Sequence, residues 1–294
     1  MINKTLFSIF KQGSKTYFYS SLFFPSYMKK DVFALYGFVR KADNYVDSIP
    51  QDINGFYNFK DKYYKAKDGA DVDDIVIKGF IKLAEKNNFQ DEWIDAFLHS
   101  MEMDITKSTY NTLDETIEYI YGSAEVIGLM MASIMKLPEE SYSYARYLGR
   151  SMQYINFIRD IAEDITLNRN YFPQDEMRKH GLESLDYEYT INKKEEFMGF
   201  IQGQLQKYCD WQCIAEEGFN YIPNRFLIPV KTATEMYYWT AEQIYKNPFI
   251  VYHLKVKPMI KKIFTTTLLN IVDPRKPILD NRYCFNKITN PKLS

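Results

Sequence analysis

Apolar residues return at intervals of three and four along most of this chain, and the alternation of a half-buried strand is almost absent. A spacing near 3.6 gathers apolar side chains into one stripe on one side of a helix, so the pattern restricts the chain to helical architectures. Val32, Leu35, Tyr36, Val39, Ala42 and Val46 form one such stripe; Ile117, Ile120, Tyr121, Ala124, Ile127 and Met131 form another. Thr112 and Glu115 make a capping-box pair ahead of the second stripe. Pro138 stands where a first-turn proline would open a helix running through Asp164. Further helices are expected at 52–67, 74–88, 91–104, 193–219, 229–246 and 248–270, with loops near 68–73 and 180–192. With 12 Gly and 11 Pro in 294 residues, no linker divides the chain. The expectation is an all-α bundle forming one domain over residues 1–294.

Charge and cysteine content remove several functions. Lys and Arg number 37 against 38 for Asp and Glu, giving a net charge of -1, so the basic excess needed for phosphate backbones is missing and no nucleic-acid partner is expected. Cys209, Cys213 and Cys284 are too few for a disulfide framework and match no zinc spacing, which fits a reducing, cytoplasmic setting. The longest uncharged apolar runs, at 126–135 and 263–272, fall short of the roughly 20 residues that span a bilayer. The N-terminus lacks the hydrophobic stretch of a secretory signal. Gly-rich phosphate loops, nucleophile elbows and dinucleotide fingerprints are absent from the sequence. A carboxylate di-metal bundle needs Glu three residues before His, and Ala96, Met177 and Ile250 hold those places before His99, His180 and His253.

The chemistry is concentrated in two polar stripes. Arg40, Asp43 and Asp47 fall within about 60° of one another on a helix, so both carboxylates share a face. Gln153, Asn156, Asp160 and Asp164 repeat the arrangement within about 80°, on a segment otherwise made of Tyr154, Ile155, Phe157, Ile158 and Ile161. Like charges at that spacing repel, and amides followed by aspartates offer oxygen ligands with few mobile charges. Oxygen-only ligation suits Mg2+, which takes one or two carboxylates and fills its remaining positions with water and substrate phosphate. Arg40 and Arg159 either complete a diphosphate clamp or pair with the neighbouring aspartates. An aromatic content of 17% would furnish ring faces for a cation generated where water is excluded.

Taken in order along the chain, these residues resemble the squalene and phytoene synthase family, the head-to-head prenyl diphosphate condensing enzymes. The resemblance covers roughly residues 8–265. Ser14-Lys15-Thr16-Tyr17 is similar to the family's N-terminal element, and Leu35-Tyr36 through Arg40, Asp43 and Asp47 to its first aspartate motif. Tyr121-Gly122 through Gly128 resembles its tyrosine-to-glycine helix, Gln153 through Asp164 its second aspartate motif, and Arg169 through Pro173 the element that follows. The resemblance implies an isoprenoid-synthase bundle around a central cavity, and two coupled half-reactions that pass through a cyclopropyl diphosphate. It implies Mg2+ on Asp43, Asp47, Asp160 and Asp164, and diphosphate contacts from Ser14, Tyr17, Arg40, Gln153, Asn156, Arg159, Arg169 and Tyr171. Tyr121 and Tyr237 would stand near the reacting carbons or the leaving group.

The expected reaction joins two geranylgeranyl diphosphates into phytoene; the alternative joins two farnesyl diphosphates into squalene or dehydrosqualene, NADPH being needed for squalene alone. Chain-elongating prenyl synthases are disfavoured, because neither aspartate motif reads D-D-x-x-D. A non-catalytic lipid-binding or assembly factor would not retain four aspartates. Asn44 stands where many relatives carry an acid, and no arginine occurs between Phe226 and Val272, leaving Lys246 or Lys255 to supply a cation there. An extremely apolar product implies peripheral contact with a membrane surface.

Overall fold

The structure, a computed structural model, describes residues 3–279; Cys284 lies outside them. Short polar side chains start its helices. Asn3 accepts from the Thr5 amide at 2.8 Å to open α1 (Lys4–Gly13), and Ser14 accepts from the Tyr17 amide at 3.3 Å to open α2 (Lys15–Ser21). After α3 (Ser26–Asp47), Asp52 and Asp74 cap α4 (Ile53–Lys67) and α5 (Ile75–Asn87), and α6 (Asp91–Thr106) follows. Thr112 caps α7 (Leu113–Ile120) as expected, but Glu115 reaches one residue further back and accepts from the Asn111 amide at 3.1 Å.

Between α7 and α8 (Val126–Ile134) the chain makes a π-turn over Tyr121–Glu125, where the Val126 amide bonds back five residues to Tyr121. Then come α9 (Tyr142–Arg159), α10 (Ile161–Thr166), α11 (Gln174–Lys179), α12 (Tyr187–Thr190), α13 (Lys194–Glu217), α14 (Asn224–Lys246), α15 (Ile250–His253) and α16 (Ile260–Val272). Among the described residues the strands are β1 (Thr109–Tyr110) and β2 (Asn170–Pro173), which pair in parallel.

Several boundaries differ from the sequence reading. Pro138 precedes a single 3-10 turn rather than opening α9 itself. The helix expected to run through Asp164 bends at Asp160, whose φ of -100° and ψ of 14° separate α9 from α10, although amide bonds of 2.8 Å carry the ladder across. The segment 248–270 splits, because Pro258 can neither donate an amide nor let the preceding residue stay helical. Conversely α14 starts at Asn224 and carries Pro229 inside it. The loop near 180–192 holds the one-turn α12.

Helix α9 is central, packing on α13, α8 and α14. Its approach to α8 is backbone to backbone: a Cβ on Gly128 would lie 2.2 Å from the Ala145 carbonyl, and one on Gly149 would lie 2.4 Å from that of Ala124. Any larger residue at either place would force these helices apart. One apolar cluster lies under α3 to α6, where Phe38 stacks on Phe80 at 3.8 Å; a second surrounds α9 and α13 with Tyr154, Phe172, Phe200 and Leu205. Each buried ring contributes about 1.5–3 kcal/mol relative to exposure. Tyr17 and Leu148 pack against both clusters, and the cavity described next opens between them.

Candidate active site

A cavity of about 840 Å³ runs between α2, α3, α6, α8, α9 and α14. Its depths are apolar, with Phe24, Leu35, Phe97, Met101, Ile127 and Met131 on the walls. Asp43 and Asp47 on α3 line the same cavity as Asp160 and Asp164 at the α9–α10 bend, so the two stripes converge. Ser14, Tyr17, Arg40, Gln153, Asn156, Arg159, Arg169, Tyr171 and Tyr237 also line it.

The two aspartate pairs differ electrostatically. Arg40 bonds Asp43 and lies 4.0 Å from Asp47. Burial and the Asp47 charge nonetheless outweigh Arg40 and push the Asp43 carboxyl up to about 7. On the other side burial also works to raise Asp160, but Arg159, donating to it at 2.8 Å, and Lys255, at 3.3 Å, hold it below the ordinary carboxylate range. Asp164 is pushed well up by burial and by Asp160. A cavity that keeps two carboxyls reluctant to ionise lacks positive charge, and the buried Asn156 Oδ1 has no partner. Among the described residues no three acidic, His or Cys groups surround one point. Each stripe therefore offers one or two carboxylates, which is what Mg2+ takes when phosphate and water supply its other ligands. The donor set fits Mg2+ held jointly with a diphosphate.

Tyr17 and Tyr237 meet over the cavity with ring centroids 5.5 Å apart, and the Tyr17 hydroxyl donates to Met152 Sδ at 3.3 Å. Burial raises both phenols, so they face the cavity as neutral hydroxyls. Ser14 both caps α2 and lines the cavity. Lys255 fills the place of the missing arginine, and Lys257, unnoticed in the sequence, joins it on the wall. Burial, then Lys255 and Arg159, lower the Lys257 ammonium. Lys246 is not on the wall.

Tyr121 requires correction. It is not on the cavity wall; its ring packs against the Arg146 guanidinium at 5.1 Å. The π-turn shifts the helical register there and turns Glu125 inward to accept from Arg146 at 2.7 Å and Arg150 at 2.6 Å. Tyr119 faces the cavity instead and donates to Asp104 Oδ2 at 2.8 Å. Tyr171 donates to Asp104 Oδ1 at 2.7 Å, its ring stacked on Phe157 at 4.3 Å. Asp104 was overlooked in the sequence, although an acid three residues after Met101 and seven after Phe97 interrupts an apolar stripe. Burial raises it to about 6 against the pull of Arg169 and the two tyrosines. Arg169 is less a free diphosphate ligand than a strap, donating to Asp47 at 2.8 Å and to the Val46 carbonyl at 2.6 Å.

This placement gives a contrast between neighbours. Tyr121→Phe is expected to leave turnover within about twofold, whereas Tyr119→Phe removes a hydrogen bond to a charged group, costing roughly 1.5–3 kcal/mol, and lowers both melting temperature and turnover. Assays and melting curves of the two variants check this; a Tyr121→Phe enzyme more damaged than Tyr119→Phe would refute the assignment.

A helical bundle with a carboxylate and arginine rim over an apolar chamber is the fold of the all-α squalene and dehydrosqualene synthases. It superposes on a crystal structure of a dehydrosqualene synthase with a TM-score of 0.79 at 18% identity, covering 91% of this chain and 94% of that one. The squalene synthase HpnC of Alicyclobacillus acidocaldarius gives 0.72 at 17% identity, covering 82% and 92%. The chain belongs to the squalene/phytoene synthase family, whose members are prenyltransferases; the family match runs over residues 10–261. Among curated relatives, the phytoene synthase of Thermus thermophilus is 31% identical over 189 residues, covering 62% of this chain and 63% of that protein. The 15-cis-phytoene synthase of Pantoea ananas is 24% identical over 237 residues, covering 76% of each. The chain thus spans under two thirds of the Thermus relative's length, and 61% of that of the carrot phytoene synthase.

Proposed function

We propose that this protein condenses two geranylgeranyl diphosphates head to head into phytoene, with Mg2+ as cofactor and one domain carrying both half-reactions. The observation that carries this reading is the convergence of Asp43, Asp47, Asp160 and Asp164 on one cavity whose floor is apolar. Bound Mg2+ would neutralise a departing diphosphate. Arg40, Arg159, Lys255 and Lys257 add fixed positive charge at the same rim. In the first half-reaction the C1–O bond of one substrate breaks and the diphosphate leaves with the electron pair. The C2=C3 double bond of the second substrate attacks the resulting cation, and loss of a proton closes a cyclopropane. In the second, the cyclopropyl diphosphate ionises and rearranges to the 1'-1 linked product. The apolar walls exclude the water that would quench either cation, and the neutral Tyr17 and Tyr237 hydroxyls stand at the boundary between rim and floor.

The phytoene synthases among the relatives support the C20 substrate. Incubation with labelled C15 and C20 diphosphates, with and without Mg2+ and NADPH, followed by product mass analysis, tests the reading. A C40 hydrocarbon formed from the C20 substrate, dependent on Mg2+ and indifferent to NADPH, is the expected outcome. A C30 product made from the C15 substrate alone would shift the assignment to squalene or dehydrosqualene, and absence of any hydrocarbon would overturn it. A product so insoluble in water is best released into a bilayer, so the enzyme is further proposed to bind membranes peripherally. No helix among the described residues is long and apolar enough to cross a membrane.

A further inference from the structure

Helix α16 is patterned inside out. Thr267 and Asn270 are buried, Asn270 donating to Glu235 Oε2 at 2.6 Å and to Thr232 Oγ1 at 3.2 Å. Leu268, Leu269 and Val272 meanwhile stand 61%, 70% and 85% exposed. Ile260, Phe264, Leu268 and Ile271 follow one another at spacings of four, four and three, which makes one continuous apolar outer face. Exposed Met259 and Leu254 extend it towards the cavity rim, and on its other flank the Phe264 ring meets those of Phe23 and Tyr19 at 5.7 and 6.1 Å. Single apolar residues on a surface are ordinary; a helix that hides Thr and Asn while presenting leucines is built to be covered.

Charge narrows the choice of cover. From Leu254 to Val272 the chain carries Lys255, Lys257, Lys261 and Lys262 and no acidic residue. A second copy docking through a two-fold axis would set these lysines against themselves. Residues 280–294, with Arg282, Lys287 and Lys292 against Asp280, carry charge of the same sign. An apolar face edged by lysines matches the boundary between acyl chains and anionic headgroups. We propose that α16 and the preceding Leu254–Met259 segment dock the protein on an anionic lipid bilayer. Helix α16 packs on α2 and α14, which supply Tyr17, Ser20, Val230, Ala233 and Tyr237 to the cavity wall. The bilayer therefore lies one helix away from the chamber, beside the rim lysines Lys255 and Lys257.

Docking there rests on the apolar product proposed above, yet vesicle flotation needs no substrate, so the two readings fail separately. The full chain is expected to float with phosphatidylcholine vesicles containing phosphatidylglycerol, and about tenfold less with phosphatidylcholine alone. Leu268→Asp with Leu269→Asp should cut flotation about tenfold while leaving circular dichroism and product formation from detergent-dispersed substrate unchanged. Lys261→Glu, a milder change, should reduce the preference for the anionic vesicles. The inference is overturned if the wild-type chain stays in the bottom fraction, if the leucine variant floats as well as wild type, or if wild type sediments as a dimer that the leucine substitutions dissociate. Wild-type flotation without hydrocarbon formation would instead sink the proposed reaction and leave the docking surface standing.

Discussion

Asp43→Asn is expected to lower product formation by about 10²-fold or more while raising the melting temperature of the metal-free protein. The two effects have one origin. Burial and the Asp47 charge push the Asp43 carboxyl up to about 7, so between the unfolded value of 3.8 and that value the folded chain holds a proton that the unfolded chain releases. Stability of the metal-free protein therefore falls as pH rises through this window and stays low above it. Asp104, raised to about 6, adds to the same slope. Asparagine removes the charge permanently, flattening the pH dependence and raising the midpoint at pH 8 by about 2–4 °C, the shift that about 1 kcal/mol produces in a large domain. Cation binding needs the ionised carboxylate, so wild-type product formation should fall as pH drops below 7 even as the metal-free chain grows more stable. Asp160→Asn should behave differently, losing activity without stabilising, because its carboxylate is already neutralised by Arg159 and Lys255. Melting curves in EDTA at pH 5.5 and 8, beside turnover with Mg2+, check both variants. An Asp43→Asn enzyme with wild-type turnover, or with a lower metal-free midpoint at pH 8, would contradict the assignment.

What the sequence conveyed and what it withheld divides along local and non-local physics. The aspartate stripes are legible because a 3.6-residue period is fixed by the backbone alone: Asp43 and Asp47 share a face on α3 whatever else the chain does. Convergence of the two stripes on one cavity was inferred from their chemistry, and the packing of α3 against the α9–α10 bend realises it. The bend at Asp160 was hidden because the flanking residues are ordinary helix formers and the amide ladder continues through it. The π-turn had no signature either, and it exchanged Tyr121 for Tyr119 at the cavity wall: one bond reaching back five residues rotates everything that follows. Pro258, in contrast, was visible and under-weighted. Asp104 left the faintest trace, a single acid on an apolar stripe, because its partners Tyr119, Tyr171 and Arg169 come from elements that the fold alone brings together.

Removing the Arg169 guanidinium should be the most destabilising single change in the site. Its side chain is 4% exposed and that of Asp104 is 3% exposed, so neither charge has water to fall back on. The planar fork donates to Asp47 Oδ1, to the carbonyls of Val46 and Asp104, and at 3.3 Å to the Tyr171 hydroxyl, joining the end of α3 to α6 and β2. Arg169→Met strips these acceptors together and leaves a buried carboxylate facing one fewer positive charge, a loss of roughly 3–5 kcal/mol or on the order of 10 °C. Lysine, a point charge, reaches fewer acceptors than the fork and should restore part of this at most. The alternative, a residue that mainly grips diphosphate, predicts a nearly unchanged melting temperature with a raised substrate KM, and that result would refute the strap. Protonation supplies an independent check. Without Arg169 the Asp104 carboxyl, already at about 6, climbs further, so acid neutralises the orphaned charge. The deficit of Arg169→Met against wild type should shrink from pH 8 to pH 5.5, and adding Asp104→Asn should recover stability at pH 8. A deficit independent of pH would place the loss in packing rather than in the unpaired carboxylate.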